Sequence, residues 1–263
     1  MPFVDVSGLR MHLIDEGDGS PLVFLHGFPL DHSMWDGQRR GFRSSHRVLI
    51  PDQRGFGKST NRNDIVSMDQ FADDVAAMLD AVGAEGSVTL CGLSMGGYVA
   101  LAFARRHAHR LGRLVLCDTR SLPDTPEMAE NRRKLADRVL TEGSRIVVDA
   151  MLPRLFGPHT NERHPEIVDA VRNVMLATSP RAIAAAQRGM AERPDSTPSL
   201  SEIRVPTLVI VGEHDVISPP DEMRAMATAI PNATYVELSE IGHMSPTEDP
   251  VRFNAALQDW LAR

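Results

Sequence analysis

Ser-Val-Thr-Leu-Cys-Gly-Leu-Ser-Met-Gly-Gly-Tyr, residues 87–98, joins a short apolar run to a helical pattern through one serine flanked by glycines. Val88 to Cys91 is β-branched and apolar, as a buried strand requires, and Tyr98 to Arg106 opens a helix. Between them, Gly92-Leu93-Ser94-Met95-Gly96 fits Gly-x-Ser-x-Gly, in which the serine occupies a sharp strand-to-helix turn. At so tight a turn a neighbouring Cβ would collide with the crossing strand or helix, hence the glycines. The turn lifts the Ser94 Oγ clear of the sheet. It also aims the first amides of the following helix at whatever that oxygen attacks.

The pattern of strand, turn and helix extends both ways from this stretch. Upstream, Phe3 to Val6 and Leu9 to Ile14 alternate across Ser7-Gly8 as an opening hairpin. Pro21 to Leu25 is a fully apolar strand ending at His26-Gly27-Phe28-Pro29, and Val48 to Ile50 is another, followed by a charged, glycine-rich loop through Ser59. A helical turn lies near Ser33 to Phe42 between them. Phe71, Val75, Met78, Leu79 and Val82 recur at helical spacing, and Gly83 stops that helix. Downstream, Leu114 to Cys117 is a strand ending at Asp118-Thr119-Arg120.

From there to about Glu202 the pattern turns helical. Met128 to Leu140, Ile146 to Leu152, Glu166 to Leu176 and Arg181 to Ala191 are separated by proline and glycine. Thr207 to Val211 then resumes the strands and ends in Gly212-Glu213-His214-Asp215. A helix over Pro219 to Ile230, a strand over Thr234 to Leu238, the loop Ile241-Gly242-His243-Met244 and a helix over Val251 to Leu261 complete the chain. The order predicts an α/β fold: a mostly parallel central sheet flanked by helices. Its core comprises residues 1–120 and 203–263, with a four-helix cap, residues 121–202, inserted after the sixth strand.

Composition narrows the function classes. With 263 residues, 42% of them hydrophobic and 24% charged, the chain reads as a globular protein long enough for one large domain or a core domain with a modest insertion. A net charge of -7 disfavours nucleic acid and anionic membrane as partners. Cys91 and Cys117 both fall in apolar strand runs and read as buried free thiols, consistent with a reducing cytoplasm. The N-terminal residues lack a signal-peptide pattern, and no apolar run is long enough to span a bilayer. The expected localisation is cytoplasmic.

In an open parallel sheet, ligands bind beyond the carboxyl ends of the strands. Those ends deliver Gly27-Phe28, Asp52, Ser94, Asp118, Asp215 and His243 to one edge. A serine hydroxyl needs a base within hydrogen-bond reach, and the base needs a carboxylate to hold its tautomer. Ser94, Asp215 and His243 supply these types in the chain order Ser, Asp, His. Glu213 and Asp118 are rivals of Asp215 for the acid.

The motifs His26-Gly27-Phe28-Pro29, Asp52-x-Arg54-Gly55-x-Gly57-x-Ser59, Gly92 to Gly97, Gly212 to Asp215 and Gly242-His243 resemble, in order and spacing, those of α/β-hydrolase-fold serine hydrolases. The similarity is greatest to small bacterial carboxylesterases, enol-lactone hydrolases and cofactor-free perhydrolases. The resemblance implies Ser94 as nucleophile, His243 as general base and then acid, Asp215 as orienting acid, and the amides of Phe28 and Met95 as oxyanion hole. It implies no cofactor and a small-molecule ester or lactone as substrate. Proline at Pro29 resembles the perhydrolase arrangement. A ligand-binding relative, with the cap closing over a small molecule, is the reading from a different class.

Other residues are weighed on their own chemistry. Arg120, at the mouth of the cap, would meet a substrate carboxylate or form a plain salt bridge. His26 reads as structural, and Asp52 and Arg54 as holding their turn together. His107 and His109 lack His-Glu-x-x-His spacing, so no metal site is expected. Arg132-Arg133-Lys134 reads as a solvated helix face. Met128, Met151, Met175 and Met190 read as core, with an apolar acyl pocket as the alternative.

Overall fold

Continuous apolar runs form the centre of the molecule because a strand covered on both faces has no polar side to show. The computed structural model describes residues 2–6 and 8–263, so the Ser7 position of the expected hairpin lies outside the described residues. The strands are β1 (Phe3–Val6), β2 (Leu9–Glu16), β3 (Pro21–Leu25), β4 (Arg47–Pro51), β5 (Val88–Leu93), β6 (Leu111–Cys117), β7 (Thr207–Gly212) and β8 (Ala233–Leu238). They form one eight-stranded sheet in the order β1-β2-β4-β3-β5-β6-β7-β8. The β1–β2 and β2–β4 pairs are antiparallel, and every pair from β4 to β8 is parallel.

The period-two alternation of side chains builds a core on each face. Leu22, Phe24, Cys91, Leu93, Val115 and Ile210 face one side, where they meet Phe42 of α1 (Asp36–Phe42) and Phe253, Leu257 and Trp260 of α11 (Pro250–Leu261). Val23, Leu25, Leu90, Leu114, Leu116 and Val209 face the other. They pack with α2 (Met68–Ala81), α3 (Met95–Arg106) and α9 (Pro220–Ala229). Each fully buried aliphatic side chain of this kind contributes about 1.5–3 kcal/mol relative to exposure. Cys91 and Cys117 are buried free thiols with their sulfurs 3.6 Å apart.

Between β6 and β7 the chain forms α4 (Pro126–Glu142), α5 (Arg145–Met151), α6 (Pro158–Arg163), α7 (Pro165–Ala177) and α8 (Pro180–Ala191). The short α6 adds to the four helices expected. Pro158 sits at its first position, where the missing N–H costs nothing, so Gly157-Pro158 starts a helix rather than merely separating two. The segment carries its own polar clasp. Arg132 and Arg193 converge on the buried Asp124, at 2.5 and 2.7 Å, so Arg132 is anchored rather than solvated. No helix among the described residues is long and apolar enough to cross a membrane.

The strand order reverses between β3 and β5: the chain leaves β3 for β4 on one side and returns to β5 on the other. At such a switch point ligands bind beyond the carboxyl ends of the strands, here β3 and β5. The segments that follow these strands are Gly27-Phe28 and Ser94.

Candidate active site

Ser94 holds φ 55° and ψ -114°, a left-handed backbone that costs a non-glycine residue of order 1–3 kcal/mol. Its surroundings enforce it. A Cβ on Gly92 would strike the Gly96 backbone, and one on Gly96 would strike the Leu25 carbonyl, so helix α3 can start directly against β3 and β5 only through glycine. Thr119 Oγ donates to the Ser94 carbonyl at 2.7 Å, and the Ser94 N–H donates to Cys117 O at 3.0 Å. Both bonds tie the turn to the end of β6.

The loop after β3 abuts this turn. A Cβ built on Gly27 would lie 3.5 Å from the Ser94 Cβ. Among the described residues, neither the Phe28 nor the Met95 N–H donates to another backbone group, and Met95 is the first residue of α3, where helix amides have no internal partner. His26, fully buried beneath the loop, uses both ring nitrogens structurally. Nδ1–H donates to Gly27 O at 3.0 Å, and Nε2 accepts the Gln53 N–H at 3.0 Å.

Past β7 and β8 the loops bring an acid and an imidazole together. His243 Nδ1 and Asp215 Oδ2 are 2.8 Å apart, with side chains 3% and 0% exposed. A carboxylate accepts only, so Nδ1 carries the proton and Nε2 is left as the acceptor. The other Asp215 oxygen accepts the N–H groups of Ile217 and Ser218, each at 2.8 Å. Among the described residues no hydrogen bond joins Ser94 Oγ to His243, and catalytic bonds in unliganded sites are often long.

The rivals for the acid are otherwise engaged. Asp118 accepts the Gly212 N–H at 2.9 Å and the Ser245 hydroxyl. Burial first, and then the charge of Asp215, pushes its carboxyl well above the usual range, favouring the neutral form. Glu213 accepts the Glu240 N–H at 2.9 Å on an exposed loop. Arg120 is bidentate to Glu222 of α9, at 2.7 and 2.9 Å, so its charge is already matched. Arg54 pairs with the buried Asp74 of α2 rather than within its own turn.

Glu248 is the site residue that sequence reasoning missed. It lies in the short α10 (Ser245–Glu248) and is 7% exposed. One carboxylate oxygen accepts the Gly157 N–H at 2.8 Å and the Thr160 hydroxyl at 2.7 Å; the other accepts the N–H groups of Gly242 and Met244, at 2.9 and 3.2 Å. The residues on both sides of His243 are thereby tied to α6 and its approach, and the His243 N–H itself donates to Leu155 O at 2.9 Å. Ser-Pro-Thr-Glu after the histidine reads only as a helix start, so no local signal marked this convergence.

An apolar cavity of about 240 Å³ lies between the loop after β3 and helix α7, lined by Leu30, Met34, Ile167, Val171, Val174 and Thr247 among others. The four methionines weighed for an acyl pocket do not line it. Met175 and Met190 are in the core and Met128 is exposed.

The chain as a whole has relatives. The sequence profile of the "Alpha/beta hydrolase family" matches residues 22–256. A thermophilic esterase from Thermogutta terrifontis, determined with malate bound, is 45% identical with a TM-score of 0.96, the alignment covering 99% of this chain and 96% of that one. The enol-lactonase from Burkholderia xenovorans LB400 is 33% identical with a TM-score of 0.92, covering 100% of both chains. The 3-oxoadipate enol-lactonase 2 of Acinetobacter baylyi is 28% identical over 94% of this chain and 91% of its own length. With that profile spanning the sheet from β3 to the last helix, the chain belongs to the alpha/beta hydrolase family.

Proposed function

We propose that the chain is a serine hydrolase of small carboxylic esters, working through an acyl-enzyme on Ser94. The observation that carries this reading is the buried Asp215–His243 hydrogen bond, which leaves Nε2 as a base at the edge where Ser94 sits on its strained turn. His243 Nε2 takes the Ser94 proton as Oγ attacks the ester carbonyl. The amides of Phe28 and Met95 hold the tetrahedral oxyanion, and losing one such donor typically costs about 10²- to 10³-fold in turnover. His243 then protonates the leaving alcohol, and a water that it deprotonates releases the acid. Asp215 keeps the ring in the productive tautomer and stabilises the imidazolium.

Residues 121–202 act in this reading as a cap on the core formed by 1–120 and 203–263. Contacts that support it run from the helical segment to both sides of the crevice. Thr178 Oγ donates to Pro29 O at 2.8 Å, and Gly157 and Thr160 donate to Glu248. The enol-lactonases among the relatives favour a second substrate class, a lactone opened by the same acyl transfer.

The test is Ser94→Ala. The variant is expected to fold and to lose hydrolysis of short p-nitrophenyl esters together with labelling by a fluorophosphonate. Full activity in that variant would overturn the proposal. A wild-type protein that resists the fluorophosphonate would favour a ligand-binding role instead.

A further inference from the structure

On the far side of the crevice loop from the Asp215–His243 pair, β2, β4 and the segment after β3 bring a second polar cluster together. The backbone N–H of Asp52 donates to His12 O at 2.9 Å, which sets Asp52, just past the end of β4, beside His12 of β2. His12 Nδ1 lies 2.9 Å from Asp52 Oδ2, and His32 Nδ1 lies 2.7 Å from Asp52 Oδ1. The three potential ligand atoms are all within 4.8 Å of one another. The two imidazole rings are 4.6 Å apart.

Three features go beyond a plain His–Asp contact. His12 is 3% exposed, yet its Nδ1 has no aligned hydrogen bond despite its closeness to the carboxylate. It faces the carboxylate at close range without an aligned bond, so its lone pair or proton is held loosely in the cluster. The Asp52 carboxylate is fixed by two backbone donors, the His32 N–H at 2.8 Å and the Lys58 N–H at 2.9 Å, the outer support that metal-ligating carboxylates require. Ser59 braces both strands, accepting the His12 N–H at 2.8 Å and donating to Asp52 O at 2.6 Å.

We propose that His12, His32 and Asp52 form a binding site for a divalent transition-metal ion of the zinc class. Two imidazole nitrogens and one carboxylate oxygen make the borderline donor set that zinc takes, with water completing a tetrahedron. Zinc bonds of about 2.0–2.1 Å put neighbouring ligand atoms roughly 3.3 Å apart, so the three ligand atoms, within 4.8 Å of one another, shift to that common spacing around the ion. On binding, each ring carries its proton on Nε2, and the ion replaces the His32 Nδ1 proton between ring and carboxylate. Where His32 is doubly protonated, one proton leaves to solvent. The partly exposed edge of His32, 17% accessible, is the way in. The expectation of no metal site rested on local histidine spacing, and residues 12, 32 and 52 come from three separate segments that no such spacing can reveal.

The experiment is titration of the full chain with zinc chloride by calorimetry in a non-coordinating buffer, followed by X-ray absorption at the zinc edge. One ion per chain is expected, with nitrogen and oxygen ligands at about 2.0–2.1 Å. His32→Gln, at a partly exposed position that tolerates change, is expected to weaken binding at least about tenfold, since even outer-shell losses cost that much. His164→Gln, in the exposed His159–His164 pair of the helical segment, is expected to leave it unchanged. No stoichiometric binding, equal affinity in His32→Gln, or loss only in His164→Gln would each overturn the site. None of these outcomes bears on the Ser94 reading, which the ester assay tests separately.

Discussion

Two buried aspartates, Asp215 and Asp52, each hold an imidazole by its Nδ1 at 2.7–2.8 Å, and they differ in what surrounds the pair. Asp215 grips one ring, His243, whose other nitrogen is left to the crevice. Asp52 sits between two rings, His12 and His32, although both aspartates alike accept two backbone N–H groups. One carboxylate holds a single ring; the other is set between two. The contrast shows that an Asp–His contact has no fixed meaning, and that the free valence of the ring decides its use.

The largest expected effect breaks the first pair. Asp215→Asn keeps the shape but can donate to Nδ1, reversing the tautomer, and such a change lowers turnover by about 10⁴-fold. Ester hydrolysis should fall by that order while thermal unfolding shifts little; a loss under tenfold would mean that another acid, such as Asp118, serves His243. Glu248→Gln comes next. An amide nitrogen cannot accept, so one side of the four-donor clasp opens and His243 drifts, and a misplacement of about 1 Å costs on the order of 10²-fold. The loss should appear in kcat with KM nearly unchanged. A rise in KM alone would assign Glu248 to the helical segment's fit rather than to the histidine.

Asp52→Asn sharpens the other half of the comparison, because its effect is on stability. Burial raises the Asp52 pKa, but hydrogen bonds from the His32 ring and from the Lys58 and His32 amides outweigh it and bring it down to about 2. A carboxyl depressed on folding stabilises the protein above its unfolded pKa and loses that contribution as pH falls. Asp52 thus contributes about 2 kcal/mol at neutral pH, lost between roughly pH 4 and pH 2. Urea unfolding at pH 7 should show the variant weaker by about that amount, and the difference should shrink through that acid window. A gap that is constant with pH would point to packing, not charge.

The smallest effect is expected at Arg120. Its pair with Glu222 is partly exposed, and such bridges are worth about 0–1 kcal/mol. Arg120→Ala should leave neutral esters and acidic lactones hydrolysed equally well. A selective loss on the acidic lactones would restore the carboxylate-binding role and favour the lactone reading.

The central strands were legible because burial on two faces writes uninterrupted apolar runs, as in Leu22 to Leu25 and Leu208 to Val211, and the opening pair by its alternation. The glycine-framed turn at Ser94 was legible because steric exclusion leaves a local record. Glu248 and the His12–Asp52–His32 cluster were not, since their partners lie up to 91 residues away, at no fixed period. Helix α6 was hidden by its length, too short for an apolar stripe to emerge between Pro158 and Arg163.

The sequence by itself determined the alternation of strands and helices, the strained turn and the chemical types available at the strand ends. Each follows from short-range sterics or from the repeat of burial along one element. Only the tertiary structure decided which carboxylate meets His243, that Arg120 answers Glu222, and that a glutamate bridges the histidine loop to the helical segment. Those choices depend on strand order and loop approach, and contacts made across the sheet leave no period in the chain that makes them.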